Sequence, residues 1–322
     1  GGRYNPTGDS WTATRSPSVP TARYYHTAVW TGTEMIVWGG FGMSGPLGYI
    51  KTGGRYNPTT DAWTATSTGA NVPSLRYNHT AVWTGSQMVV WGGYGCTAYP
   101  STGCSYTNTG GRYTPSTDSW LATSTGVNLP SARSGHTAVW ANTTGEMIVW
   151  GGWDDSSSAF FDTGGRYNPT TDAWTATSTG ANVPTARVYH SAVWTGSDMI
   201  VWGGYDGGLS LNTGAVYNPS SNSWTAATST LNVPAGRETH TAVWPGTDMI
   251  VWGGWAWGEW SGAYLNTGGK YDPSTGTWTE VAPMNAPSAR MRHTAVWTGT
   301  EMVVWGGWDG NTYLNSGGEY TP

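Results

Sequence analysis

Apolar and polar positions are distributed along this chain in a unit that returns six times. Its clearest copy is Arg23 to Gly40, R-Y-Y-H-T-A-V-W-T-G-T-E-M-I-V-W-G-G. Two short apolar runs, His26 to Trp30 and Met35 to Trp38, flank the turn residues Thr31 and Gly32 and are stopped by Gly39 and Gly40. β-branched and aromatic residues fill the runs and glycine supplies the bend, which predicts a β-hairpin. His26, His79, His136, His190, His240 and His293 open the six copies and are all the histidines of the protein, so this residue type belongs wholly to the repeat.

A second hairpin is predicted from Gly1-Gly2-Arg3-Tyr4-Asn5-Pro6 followed by Asp9-Ser10-Trp11-Thr12. Pro6 is pre-set for the second position of a tight turn and Asp9 is expected to hydrogen-bond turn amides, which puts Tyr4 and Trp11 on paired strands. The same pair recurs seven residues apart at Tyr56/Trp63, Tyr113/Trp120, Tyr167/Trp174, Tyr217/Trp224 and Tyr271/Trp278. Four short strands per unit and a period of about 50 residues predict an all-β fold: a six-bladed β-propeller of four antiparallel strands per blade, spanning residues 1–322. We name the strands a (the histidine run), b (the run ending in Gly-Gly), c (the tyrosine) and d (its tryptophan). Strands a and b are apolar on both sides, as expected of a sheet lying between two neighbours. The recurring tryptophans, of the Trp30, Trp38 and Trp11 types, are expected to fill the wedge between sheets. For the last blade, Asp9 to Ala13 is expected to supply strand d, and Gly317 to Pro322 rather than Gly1 to Pro6 to supply strand c.

The spacing from histidine to the first glycine of the pair is 13 residues, except for 15 in the third unit. From the second glycine to the next tyrosine it runs 16, 20, 15, 13, 17 and 13, so length variation is concentrated in the b-to-c link. In repeat folds such insertions collect on one face, often the binding face.

Composition narrows the picture. Charged residues make up 10% of the chain, against roughly 25% in an average soluble protein. Lys51 and Lys270 are the only lysines and the net charge is -5, which leaves no basic surface for nucleic acid. No run of about 18 apolar residues is present, so no membrane insertion is expected. The chain opens within a motif, at Gly1-Gly2, as a processed or excerpted chain would. Cys96 and Cys104 lie together in the longest inter-strand loop. They are expected to form a disulfide that closes a small ring, which in turn implies an extracellular or cell-surface location. Two thiolates without an adjoining histidine make half a tetrahedral site, and neither a metal site nor a cofactor is expected.

The order arginine, histidine, apolar strand, Gly-Gly, Tyr-x-Pro, tryptophan resembles the kelch repeat, in the form found in bacterial proteins, and the six matches cover essentially the whole chain. The resemblance implies a propeller in which strand a lies nearest the central channel. It also implies that the b-to-c and d-to-a connections emerge on one face where many members bind ligands. It implies no single chemistry, because kelch propellers include adaptors, lectin-like modules and a few enzymes.

Each repeated histidine is read as fixing the start of strand a or hydrogen-bonding backbone of the next blade, although a ring of six could also be imagined as a metal or proton site. The arginines three residues earlier (Arg23, Arg76, Arg133, Arg187, Arg237, Arg290) are read in the same structural way. Arg23, Arg76 and Arg187 are kept as candidates for pointing guanidinium groups into the channel mouth. Between arginine and histidine the two residues change in every copy: Tyr24-Tyr25, Tyr77-Asn78, Ser134-Gly135, Val188-Tyr189, Glu238-Thr239, Met291-Arg292. Tyr24, Tyr77 and Tyr189 are therefore candidates at one mouth. The tryptophans outside the repeated positions, Trp153, Trp255, Trp257, Trp260 and Trp308, all fall in b-to-c loops, in company with Asp154, Asp155, Asp206, Glu259 and Asp309. Aromatic faces beside a few carboxylates are how proteins stack sugar rings and bind their hydroxyls. The alternative is that these rings fold back on their own loops. Three functions are consistent with the sequence: a secreted module binding a glycan or other polar ligand, a structural or protein-interaction propeller in an extracellular assembly, and a sugar-active enzyme. For the last, Glu238 with Arg292 could serve acid/base work, as in kelch-type sialic-acid mutarotases. The oligomeric state is not read from the sequence.

Overall fold

The computed structural model describes residues 1–322 except 16, 43–47, 98–102, 227–230, 259–261 and 282–284. Among the described residues the secondary structure is β throughout, apart from one 3-10 turn at Pro6–Gly8. The chain divides into two units, Gly1–Thr125 with Ser131–Ser134, and Gly126–Pro130 with Gly135–Pro322.

In the first unit, Thr27–Trp30, Met35–Trp38, Gly53–Asn57 and Ala62–Ala65 form one antiparallel sheet, and Thr80–Trp83, Met88–Trp91, Gly110–Thr114 and Ser119–Ala122 a second; Gly2–Asn5 pairs with Ser10–Ala13. The second unit repeats the a-b-c-d order three times. Its sheets begin at Thr137, Ser191 and Thr241, and it adds a three-stranded sheet of Thr294–Trp297, Met302–Trp305 and Gly317–Tyr320. The register is the one the repeat predicts: Tyr56 lies opposite Trp63 and Met35 opposite Tyr56, so each c strand bridges its b and d neighbours.

Strand b explains why its pattern is apolar throughout. Alternate residues point to opposite sheet faces, and both faces are covered by neighbouring sheets. In the first unit Ile36 and Trp38 pack with Met88, Val90, Tyr113 and Trp120 of the following sheet. In the second, Ile148 and Trp150 meet Met199, Val201, Tyr217 and Trp224, and the far side of the same middle sheet turns Ile200 and Trp202 to Met249, Val251, Tyr271 and Trp278. The b-strand tryptophan lies against the d-strand tryptophan of the next sheet, with ring centroids 5.3 Å apart for Trp38/Trp120 and 5.0 Å for Trp202/Trp278. Burying a large ring of this kind stabilises by about 2–3 kcal/mol, and the contact recurs for Trp150/Trp224 at 5.2 Å.

The c-to-d turn differs in one detail from expectation. Its amides are taken by asparagine, with Asn57 Oδ1 accepting from the amides of Thr59 and Thr60. The aspartate instead accepts the tyrosine hydroxyl, Tyr56 to Asp61 at 2.7 Å, and also the Arg15 amide of the preceding link at 3.2 Å. Asp61 sits at φ 50°, a left-handed position that an acidic or amide residue tolerates best among non-glycines.

Candidate functional site

The b-to-c connections are held by arginines that stand near the end of the preceding d-to-a segment. Arg187 donates from Nη1 to the carbonyls of Gly203 (2.9 Å) and Thr213 (2.7 Å) and from Nε to Thr185 O (2.9 Å), thereby gripping the first and last residues of one loop. Arg76 does the same to Gly92 O, Thr109 O and Ser74 O. Both are buried, and burial pushes their pKa down to about 10. Their donors are spent on main chain and on the hydroxyls of Ser74, Thr109, Thr185 and Thr213, so the guanidinium groups of Arg76 and Arg187 do not reach a ligand surface and act as loop clamps. Arg23 makes the equivalent bonds to Gly39 O, Thr52 O and Thr21 O but is only partly buried.

His79, His190, His240 and His293 each sit beside the Gly-Gly corner of the preceding copy. A Cβ on Gly203, which has φ 72°, would lie 2.6 Å from His240 Cε1, so the corner admits only glycine. The imidazole Nε2 pairs with the hydroxyl that follows the preceding histidine: His79 with Thr27 (2.9 Å), His190 with Thr137 (2.8 Å), His240 with Ser191 (2.8 Å) and His293 with Thr241 (2.7 Å). The structural role holds, with a side-chain hydroxyl as partner beside backbone, that of Arg237 for His240 and those of Arg290 and Trp252 for His293. Burial drives the pKa of His190 and His240 well down and that of His293 to about 4. Among the described residues no group of three or more histidine, cysteine, aspartate or glutamate side chains is arranged to hold a metal ion.

The two residues between arginine and histidine form a different surface. The first pairs with the residue after Gly-Gly: Tyr24 with Phe41, Tyr77 with Tyr94, Val188 with Tyr205, Glu238 with Trp255 and Met291 with Trp308. The second adopts a left-handed backbone, with φ near 54° at Tyr25, 57° at Tyr189 and 55° at Arg292. These second residues are strung together by main-chain bonds, Asn78 N to Tyr25 O in the first unit and Tyr189 N to Gly135 O, Thr239 N to Tyr189 O and Arg292 N to Thr239 O in the second. Holding bulky residues there costs about 1–3 kcal/mol each and is typical of binding sites. Glu238 is half-buried, and its carboxyl is pushed up to about 7 by burial, which Arg292 partly offsets. The two weak catalytic candidates thus feel each other.

The loops beyond are small hairpins that carry aromatic rings. Trp153–Asp154 pairs with Ala159–Phe160, and Trp153 stacks on Phe160, which contacts Tyr205. Trp255–Trp257 pairs with Gly262–Tyr264; Trp255 meets Tyr264 at 4.5 Å, and Trp308 donates from Nε1 to the Tyr264 hydroxyl at 3.2 Å. Trp257 is 48% and Tyr313 88% exposed. Trp153, Trp255 and Trp308 therefore fold onto neighbouring rings, whereas Trp257 faces solvent. Asp154 and Asp309 are occupied by their own turns, Asp154 accepting the Ser156 amide and Asp309 those of Asn311 and Thr312, which lowers the Asp309 pKa. Glu259 and Trp260 lie outside the described residues.

The first two repeats hold a group of rings that tryptophan, as a marker of the loops, does not reveal. Phe41, Tyr49, Tyr94 and Tyr106 occupy the same loops and pack around Tyr24, Tyr25 and Tyr77. Counting every aromatic in the b-to-c links would have found them. The Cys96–Cys104 disulfide is present and closes the hairpin of Tyr94–Cys96 with Ser105–Tyr106.

Comparison with known proteins agrees with this architecture. The profile of the KLHDC2/KLHL20/DRC7 Kelch-repeats domain matches residues 99–307. Kelch domain-containing protein 3 of Bos taurus is 30% identical over 133 residues, covering 41% of this chain and 33% of that protein. Its Rattus norvegicus counterpart is 26% identical over 203 residues, covering 61% and 51%. The chain thus spans a third to a half of the length of these relatives. The repeated arginine clamps, the histidine corners and the match over most of the chain place this protein in the kelch-repeat family.

Proposed function

We infer that the chain is a protein-interaction module whose partners dock, within each unit, on the b-to-c hairpins and the residues between arginine and histidine. The observation that carries this reading is the set of exposed rings on clamped, main-chain-paired loops: Trp257, Tyr313, Tyr24 and Tyr25 are each more than a third exposed. Aromatic side chains held rigidly at a surface supply contact area at low entropic cost and dominate interface energetics. Panning a peptide-display library on the chain tests it. Counter-selection uses a variant carrying Tyr24→Ser, Tyr25→Ser, Trp257→Ala and Tyr313→Ala. Binders that require the four rings support the reading, and binders indifferent to them reject it.

A glycan ligand is the second reading, favoured by the solvent-facing indole of Trp257; binding on a glycan array that is lost in Trp257→Ala supports it. The disulfide supports an extracytoplasmic location, which intact mass with and without reduction under alkylation examines. Two thiols freely alkylated in the native protein would oppose it. The six sequence copies support six blades in one propeller. Gly317–Tyr320 pairs with Met302–Trp305 and Gly2–Asn5 with Ser10–Ala13, so deletion of Gly1 to Pro6 tests which segment supplies strand c: a small fall in Tm supports Gly317 to Pro322, and a collapse supports Gly1 to Pro6.

A further inference from the structure

The tyrosines of the first two repeats converge on one patch. Tyr77 is in ring contact with Tyr25 (5.7 Å), Phe41 (6.2 Å), Tyr49 (5.4 Å) and Tyr94 (6.0 Å). The patch extends from Tyr25 to Tyr24 and from Tyr94 to Tyr106, each at 5.0 Å. None of these side chains belongs to the repeated framework, and two loop pairings, Tyr24 with Phe41 and Tyr77 with Tyr94, bring them together.

Two properties of the patch restrict its ligand. Among the described residues no hydrogen bond engages the hydroxyls of Tyr24, Tyr49, Tyr77 and Tyr94. The electrostatic neighbours acting on Tyr49 and Tyr77 are other tyrosines, and burial together with those phenols raises both pKa values. A phenol donates through its O–H, so four donors await acceptors. The second property is ring orientation. Tyr77 is flanked by four rings, with Tyr25 stacked on it at 29°, Tyr49 inclined at 31° and Phe41 edge-on at 85°, so the faces of this central ring are taken up by other rings. A pyranose or an organic cation needs a bare face. An extended proline-rich segment needs apolar ridges for its pyrrolidine rings and donors for carbonyls that have no internal partner, and the patch supplies both.

We propose that this tyrosine patch docks a proline-rich segment of a partner protein in the polyproline II conformation, the hydroxyls of Tyr24, Tyr49, Tyr77 and Tyr94 donating to its carbonyls. The proposal rests on the reading of the chain as an interaction module and gives that module a partner chemistry.

Fluorescence anisotropy of a fluorescein-labelled decaproline, titrated with the full chain, is the direct test. Saturable binding is expected. Tyr49→Phe and Tyr77→Phe, which remove only a hydroxyl, should each weaken it about two- to tenfold, the range of one hydrogen bond, with Tm unchanged and with Trp257→Ala without effect. Failure to saturate at millimolar protein overturns the proposal, as does a Tyr49→Phe/Tyr77→Phe double variant that binds like wild type. Binding of maltoheptaose in place of decaproline, lost in that double variant, also overturns it by making the patch a sugar site. The display experiment separates the two levels. Ring-dependent peptides without proline would sink this proposal and leave the interaction module standing, whereas an absence of ring-dependent peptides would remove the module reading itself.

Discussion

Four consecutive residues, arginine, two variable positions and histidine, show how this fold separates scaffold from surface. In Arg187-Val188-Tyr189-His190 the outer two are buried and hydrogen-bonded to their neighbours, and Tyr189 is turned by its left-handed backbone onto the row of second residues. In Glu238-Thr239, between the buried Arg237 and His240, the first variable residue carries a carboxyl held near neutrality. The outer positions are identical in every copy because the arginine side chain closes its own copy's loop and the histidine pairs with the copy before it. The inner positions are released from that duty, and this is where one copy can differ from another.

Removing a clamp should have the largest effect. Arg187→Met leaves the carbonyls of Gly203, Thr213 and Thr185 without their donor in a buried setting, an expected loss of about 3 kcal/mol or more. Arg23→Met removes the same bonds where water can replace them, and about 1 kcal/mol is expected. Urea denaturation of the two variants measures the difference; equal losses would mean that burial does not set the clamp's worth.

The histidines come next, through pH. The folded-state pKa of His293 is about 4 against an ordinary 6.5, so the unfolded chain binds more protons between those values. Stability should therefore rise with pH from about 4 to 6.5 and be lost as pH falls through that window, by about 3 kcal/mol for one fully buried ring. His190 and His240 are shifted in the same direction and add to the slope. Denaturation midpoints across that window check it, and a flat profile would mean the imidazoles bind protons as readily in the fold as in the unfolded chain.

Glu238 should act with the opposite sign. Its folded pKa is raised to about 7, so the folded state holds the proton longer, and stability contributed by this group falls as pH rises from 4.5 to 7. The carboxyl is partly solvated, which reduces the effect to about 1 kcal/mol. Glu238→Gln should be more stable than wild type at pH 8 by that amount and equal to it below the ordinary glutamate range. A variant less stable at pH 8 would show Arg292 to be a true ion-pair partner.

Much of the scaffold was legible because it repeats. Hairpins, the register of tyrosine opposite tryptophan, the two-sided core of strand b and the disulfide follow from periodicity, turn residues and cysteine spacing. Partners that depend on the neighbouring copy were less legible. Nothing in the spacing says that histidine seeks a threonine hydroxyl about 50 residues earlier, or that Asp61 accepts a phenol rather than a turn amide. The site was legible only as a place. Its tryptophans were found because they break the pattern, while Tyr49, Tyr94 and Tyr106 resemble the repeat's own tyrosines in type and were overlooked. Asp154 and Asp309 lie beside aromatics in sequence, yet loop closure gives their oxygens to amides.

The smallest effect is expected at Trp257, and it distinguishes surface from scaffold most sharply. Its neighbour Trp255 packs on Tyr264, and a Cβ added at Gly262 would lie 1.9 Å from the Trp255 ring, so that indole is wedged in place. The Trp257 ring is half exposed, and what ties the residue down is main chain: its amide donates to Ser210 Oγ at 2.8 Å and its carbonyl accepts from the Ser210 amide at 3.2 Å. Trp257→Ala keeps both bonds and loses only partial burial of the ring, so stability should change by about 1 kcal/mol or less. Binding is where the loss should be felt, since a ring in this position contributes on the order of 1–2 kcal/mol to an interface only once a partner covers it. A Tm held within error, together with binding weakened roughly tenfold, would assign the indole to the docking face; a collapse in Tm would make Trp257 part of the scaffold.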